Sequence, residues 1–113
     1  MLLNYKDSTV AVRIDKYIGG GIKLDIFDVE TYTPLMVLTT NIGKLGKNLI
    51  AIKDSKENQG CLTWMQRNGL VTEVVGYDER GYGKIPVARV DVKRLVKVCS
   101  DAKRYLDVLE RGC

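Results

Sequence analysis

Residues 9–28 read TVAVRIDKYIGGGIKLDIFD, two alternating runs on either side of a glycine triplet. From Thr9 to Asp15, Val10, Val12 and Ile14 fall on one side, and Ala11, Arg13 and Asp15 on the other. A period of two is that of a half-buried strand. Beyond the glycines, Ile22, Leu24 and Ile26 alternate with Lys23, Asp25 and Phe27, which predicts a second strand. A phosphate cradle needs a helix after its glycines, so that backbone N–H groups and the positive helix end meet the anion. Here a strand follows Gly21, and neither GxGxxG nor GK[ST] is present. The triplet therefore reads as a bend or bulge between two strands.

Working outward, Asp28–Pro34 (DVETYTP) is a polar turn with proline at its exit, and Leu35–Thr40 (LMVLTT) is a third strand. These connections are too short for a crossover helix, so the strands form an antiparallel meander. Asn41–Asn48 (NIGKLGKN) reads as a loop, and Leu49–Lys53 (LIAIK) as an optional fourth strand. A short helix is expected from about Asn58 to Asn68 around Leu62, Trp64 and Met65. Gly69 stands at its left-handed cap, and Leu70 folds back on Met65. Thr72–Tyr77 and Ile85–Val92 flank DERGYG, predicting a hairpin with a wide loop; Pro86 places its strand's start there, or the strand at an edge. From about Asp91 to Leu109 the apolar residues Leu95, Val98, Ala102, Tyr105 and Leu109 are spaced 3, 4, 3 and 4, one stripe of a long helix that can break at Ser100-Asp101. The expected fold is α+β, one domain over residues 1–113. Its mainly antiparallel sheet of about five to six strands, in the order βββ(β)αββα, is packed by one short and one long amphipathic helix.

A chain of 113 residues, 45% hydrophobic and 28% charged, can bury one core without a disulfide or metal staple. No apolar run approaches the roughly 20 residues of a membrane span, and MLLNYKDSTV lacks a secretory pattern, so the expectation is a cytoplasmic protein with no membrane partner. Cys61, Cys99 and Cys113 are odd in number and without CxxC spacing, which predicts reduced thiols. There is no histidine, so Ser-His and Cys-His pairs and HExxH zinc sites are excluded. No cofactor is expected. Cys61, or the carboxylates of Asp25 with Asp28 and Asp78 with Glu79, are what remains for an enzyme, and nothing in the sequence fixes a partner for them.

Two clusters suit a binding role. In Gly76–Lys84 (GYDERGYGK), Tyr77 and Tyr82 can stack and Arg80 and Lys84 can pair with anions, or the segment is a solvated hairpin loop. The net charge of +4 lies wholly in residues 84–113, where eight Lys/Arg stand against four Asp/Glu. Lys93, Arg94, Lys97, Lys103, Arg104 and Arg111 form the basic face of the last helix, open to nucleic acid or an acidic protein, or simply solvated. Trp64 is expected as a core or seam residue, with an interface anchor as the other reading. The stripe on the last helix can cover the sheet or pack on its own copy, giving a monomer or a homodimer.

Three segments carry a resemblance: YIGGGIKLDIFDVETYTPLMVLTTNI, with an aromatic and glycine pair before a strand and an acidic turn; CLTWMQRNGL, a tryptophan helix closed by Asn-Gly-Leu; and YGKIPVARVDVKRL. From Tyr17 to about Leu95 the chain resembles bacterial domain-of-unknown-function family 4313. That resemblance implies a small accessory protein of plasmids, conjugative elements or phages. It also implies a non-catalytic role in binding host machinery, as inhibitors of CRISPR effectors do. It transfers no residue as a site.

Overall fold

A computed structural model describes residues 2–43, 45–46, 48–54, 59–80 and 83–99. The strands β1 (Leu3–Tyr5), β2 (Ser8–Lys16), β3 (Ile22–Asp28) and β4 (Pro34–Val37) form one antiparallel sheet in that order. A second sheet holds β5 (Leu49–Ala51), β7 (Gly83–Val90) and β6 (Val71–Arg80), with β7 in the centre. Two helices complete the described chain, α1 (Cys61–Arg67) between β5 and β6 and α2 (Val92–Val98) after β7. The α+β class and the antiparallel meander hold, with seven strands in two sheets among the described residues rather than five to six in one.

The glycine triplet is a bend. Tyr17 N–H donates to Gly21 O at 2.8 Å, closing the β2–β3 hairpin, and Gly21 lies so close to Gly43 O that a Cβ there would stand 2.9 Å from it.

The sheets are joined where the chain after β4 changes partners. Leu38 N–H donates to Leu24 O of β3 at 2.8 Å, but Leu38 O turns the other way and accepts from Lys53 N–H at 2.9 Å; Thr40 N–H then donates to Ala51 O. An antiparallel pair normally exchanges both bonds, so this corner would orphan the buried Leu24 N–H. The Thr39 hydroxyl accepts it instead at 3.1 Å and lies 3.1 Å from the Tyr17 hydroxyl. Thr39 is 1% exposed, the one buried polar residue among those described.

Pro86 overturns its expected placement, since it lies midway along the central strand rather than at its start or at an edge. Its carbonyl accepts from Ile52 N–H at 2.8 Å, while Ile52 O accepts from Asp54 N–H, so the missing proline donor leaves no ladder carbonyl empty.

The helix around Trp64 ends as expected. Leu70 N–H donates to Met65 O and Gly69 N–H to Gln66 O, the two bonds of a Schellman ending, with Gly69 at φ 72°. Trp64 Nε1–H donates to Asn4 O at 2.8 Å and its ring meets Tyr5 edge-on at 5.5 Å, so Trp64 is a seam residue that fastens β1 to α1. The core joins Val10, Val12, Ile14, Leu24 and Ile26 of the first sheet to Ile50, Ala88 and Val90 of the second, together with Met65 of α1 and Leu95 and Val98 of α2. The last helix differs from expectation: it stops at Val98, and Cys99 is extended at φ −69°, ψ 138° in a parallel bridge to Val12. Ala102, Tyr105 and Leu109 lie outside the described residues.

Candidate functional site: the β6–β7 hairpin

The hairpin is longer than its sequence suggests. DERGYG was expected as a wide loop, but β6 runs to Arg80 and β7 begins at Gly83, with Glu79 paired to Lys84 and Arg80 to Gly83. Tyr77 pairs with Pro86, so it falls on the side of the hairpin that carries buried Ala88 and Val90 further along β7. Yet Tyr77 is 58% exposed. Pro86 opposite it is buried on the central strand, where Ile52 pairs with it, whereas Tyr77 stands on the edge strand β6, and there this face comes out into solvent. A register shift between Val74 and Gly76 marks a bulge around Val75, and Val75 is 44% exposed beside the tyrosine.

The hairpin is also electrically balanced. Residues 71–90 hold Glu73, Asp78 and Glu79 against Arg80, Lys84 and Arg89. Arg89 Nε lies 3.2 Å from Glu73 Oε1, and Lys84 Nζ 3.9 Å from Glu79 Oε1, all well exposed. Such pairs add little stability, but they leave no uniform positive field for phosphates.

Among the residues expected to bind, Tyr77 and Lys84 are exposed on this hairpin, and Arg80 ends β6. Tyr82 and Arg104 lie outside the described residues, as do Lys103 and Arg111. Lys93 and Lys97 are exposed one turn apart on α2. About 20 Å of strand, at roughly 3.4 Å per residue, runs from Lys84 to Val90 before that helix starts, so the hairpin tip and Lys93 form two clusters. Arg94 does not belong to the basic face: its Nε donates to Asn68 O at 2.9 Å and its side chain lies over Gly69, completing the end of α1. Asp91 caps α2 by accepting from Arg94 N–H at 3.0 Å.

The residues considered for catalysis hold structural positions. Cys61 is 1% exposed, and burial, with a smaller contribution from Asp54, pushes its thiol up to about 12. A nucleophilic cysteine needs thiolate at neutral pH, which this position disfavours. Asp25 forks onto Arg13 at 3.1 and 3.2 Å, Asp28 accepts from the N–H groups of Glu30 and Thr31, and Glu79 faces Lys84. Among the described residues no three Cys, Asp or Glu side chains gather as a metal site, and no helix is long and apolar enough to cross a membrane.

One aromatic pair, half-buried Phe27 and exposed Tyr32, escaped the sequence reading. Phe27 and Tyr32 stack on the outer face of the first sheet at 6.3 Å between centroids. The signal was present in the alternation of β3, where Phe27 occupies the side otherwise held by Lys23 and Asp25. No family model, curated protein or solved structure matches the chain.

Proposed function

We propose that this chain is a small non-catalytic binding protein that acts by occupying a surface on another protein, with the β6–β7 hairpin around Tyr77 as its contact. The observation that carries this reading is a charge-balanced hairpin whose edge strand β6 holds Tyr77 58% exposed on the face that carries buried Pro86 and Ala88. Tyrosine supplies a large contact at low cost in side-chain freedom, and interface centres are enriched in aromatics and depleted in net charge. The resemblance to family 4313 supports the same class, an accessory protein of a mobile element directed at host or defence machinery in the bacterial cytoplasm, for example a CRISPR effector.

Nucleic-acid binding through the last helix is the second reading. Among the described residues its support is the exposed pair Lys93 and Lys97, since Arg94 is engaged by α1.

The test is a pull-down of tagged protein and its Tyr77→Ala variant from bacterial lysate. It is run with and without nuclease and washed at ~50 and ~500 mM salt, the range over which phosphate contacts are lost. A stoichiometric protein that survives both treatments and is lost with Tyr77→Ala supports the proposal. Nucleic acid released at high salt from both forms, with no protein partner, overturns it in favour of the basic helix.

A further inference from the structure

We infer that the outer face of the first sheet is a second contact surface, which takes an arginine- or lysine-bearing segment of a partner protein onto the Phe27–Tyr32 ledge. It involves none of the hairpin residues, so it stands or falls separately from the role given to Tyr77.

The ledge is built by register. Arg13, Asp25 and Val37 are aligned across β2, β3 and β4, and Ala11, Phe27 and Pro34 form the next row. A register shift between Ile26 and Phe27 leaves Leu35 as the extra residue, exposed beside Pro34. The turn from Asp28 then brings Tyr32 back over Phe27 with the rings 14° from parallel, and Tyr32 is 77% exposed. The result is an apolar strip of Phe27, Tyr32, Pro34 and Leu35 beside the polar pair Arg13 and Asp25 of the next row.

The protein already holds one cation in the manner proposed. The Arg13 guanidinium lies 5.1 Å over the Phe27 ring while forking onto both oxygens of Asp25, so aromatic face and carboxylate act together on it. Tyr32 stands one step outward with its ring open to solvent, in a turn that also holds Asp28 and Glu30, with no cation of the described residues paired to either.

Charge selects the occupant. A nucleic acid would bring phosphates against Asp28 and Glu30. A second copy placed symmetrically would set ledge against ledge and those carboxylates against their equivalents. A partner segment with Lys or Arg meets the ring by cation–π contact and the carboxylates by pairing.

The experiment is an NMR titration of the full chain, following backbone amides and aromatic side chains. The probe is a blocked pentapeptide with two arginines between glycines. The same peptide with glutamates, a thymidine oligonucleotide, and dilution of the protein alone serve as comparisons. Saturable shifts at residues 27–35 with the arginine peptide only are expected, and Tyr32→Asn and Glu30→Gln should each weaken binding about two- to five-fold, while Tyr77→Ala changes nothing. Asparagine tolerates the left-handed backbone of Tyr32, at φ 57°, and Glu30 is exposed, so neither variant threatens the fold. No shift at the ledge, equal shifts with the glutamate peptide or the oligonucleotide, or shifts on dilution alone would each overturn the inference.

Discussion

Replacing Thr39 by valine tests the corner where the chain passes from one sheet to the other. Valine copies the shape of threonine but removes the oxygen that receives Leu24 N–H at 3.1 Å. Leu38 O cannot take over, because it is committed to Lys53 N–H. Leu24 is fully buried, so no water replaces the lost acceptor. An orphaned buried amide costs about 1–3 kcal/mol, and the Tyr17 hydroxyl adds little to the loss because it also donates to Thr39 O at 3.1 Å. The expected destabilisation is therefore about 2 kcal/mol. With a urea dependence of about 2 kcal/mol per molar, the unfolding midpoint falls by about 1 M. Thr39→Ser keeps the oxygen and gives up one methyl group, which costs about 1 kcal/mol. The two variants thus separate hydrogen bonding from packing. Urea unfolding followed by tryptophan fluorescence gives the order, and hydrogen exchange adds a local reading, in which the Leu24 amide of the valine variant loses protection beyond that of its neighbours. A valine variant as stable as the serine one, or an unchanged Leu24 amide, would refute this account of the corner.

Two further outcomes are expected. Gly21→Ala would place a methyl group 2.9 Å from Gly43 O, a backbone atom that moves only with its loop, and should cost more than about 1 kcal/mol; Gly76→Ala meets open space and should be neutral or stabilise by up to about 1 kcal/mol, both read by thermal unfolding. Because the folded Cys61 pKa is raised to about 12 from an ordinary 9.0, its contribution to stability is complete below pH 9 and is lost as pH rises toward 12, with a slope of up to about 1.4 kcal/mol per pH unit. Urea midpoints of the wild type and Cys61→Ala should therefore converge over that range, and midpoints that stay parallel would count against the buried-thiol assignment.

Much of the fold was legible because several elements satisfy one rule at a time. The alternation of TVAVRID gives β2, and Asn68-Gly69-Leu70 gives the helix ending, since each signal is local. What escaped depends on partners far away in sequence. Leu3–Tyr5 is too short for a period to show, and it is held by Trp64 and β2. Pro86 reads as an edge residue until Ile52 and Asp54 are seen to close the ladder around it. DERGYG reads as loop because its residues are charged or glycine, whereas Glu79 and Lys84 face each other across two strands. Arg94 reads as one more cation of a basic helix, although the carbonyl of Asn68 claims it. Within the candidate site the sequence singled out Tyr77 and Lys84, which are exposed, but exposure at Tyr77 follows from β6 lying at the edge of its sheet, which no local pattern encodes.

The bridge between Val12 and Cys99 bears on how the protein is made. Beyond Val10, the last residue that β1 pairs, this bridge is the described contact on that edge of β2, and it spans most of the chain. On the ribosome, β2 is made well before residue 99, and its edge at Val12 stays open until that residue has been added. Over that interval the nascent chain therefore carries an unpaired strand edge beside the apolar row of Val10, Val12 and Ile14, a surface prone to pairing with other nascent chains. Slowing translation between β2 and residue 99 would lengthen that exposure, whereas a pause before β2 is complete would not.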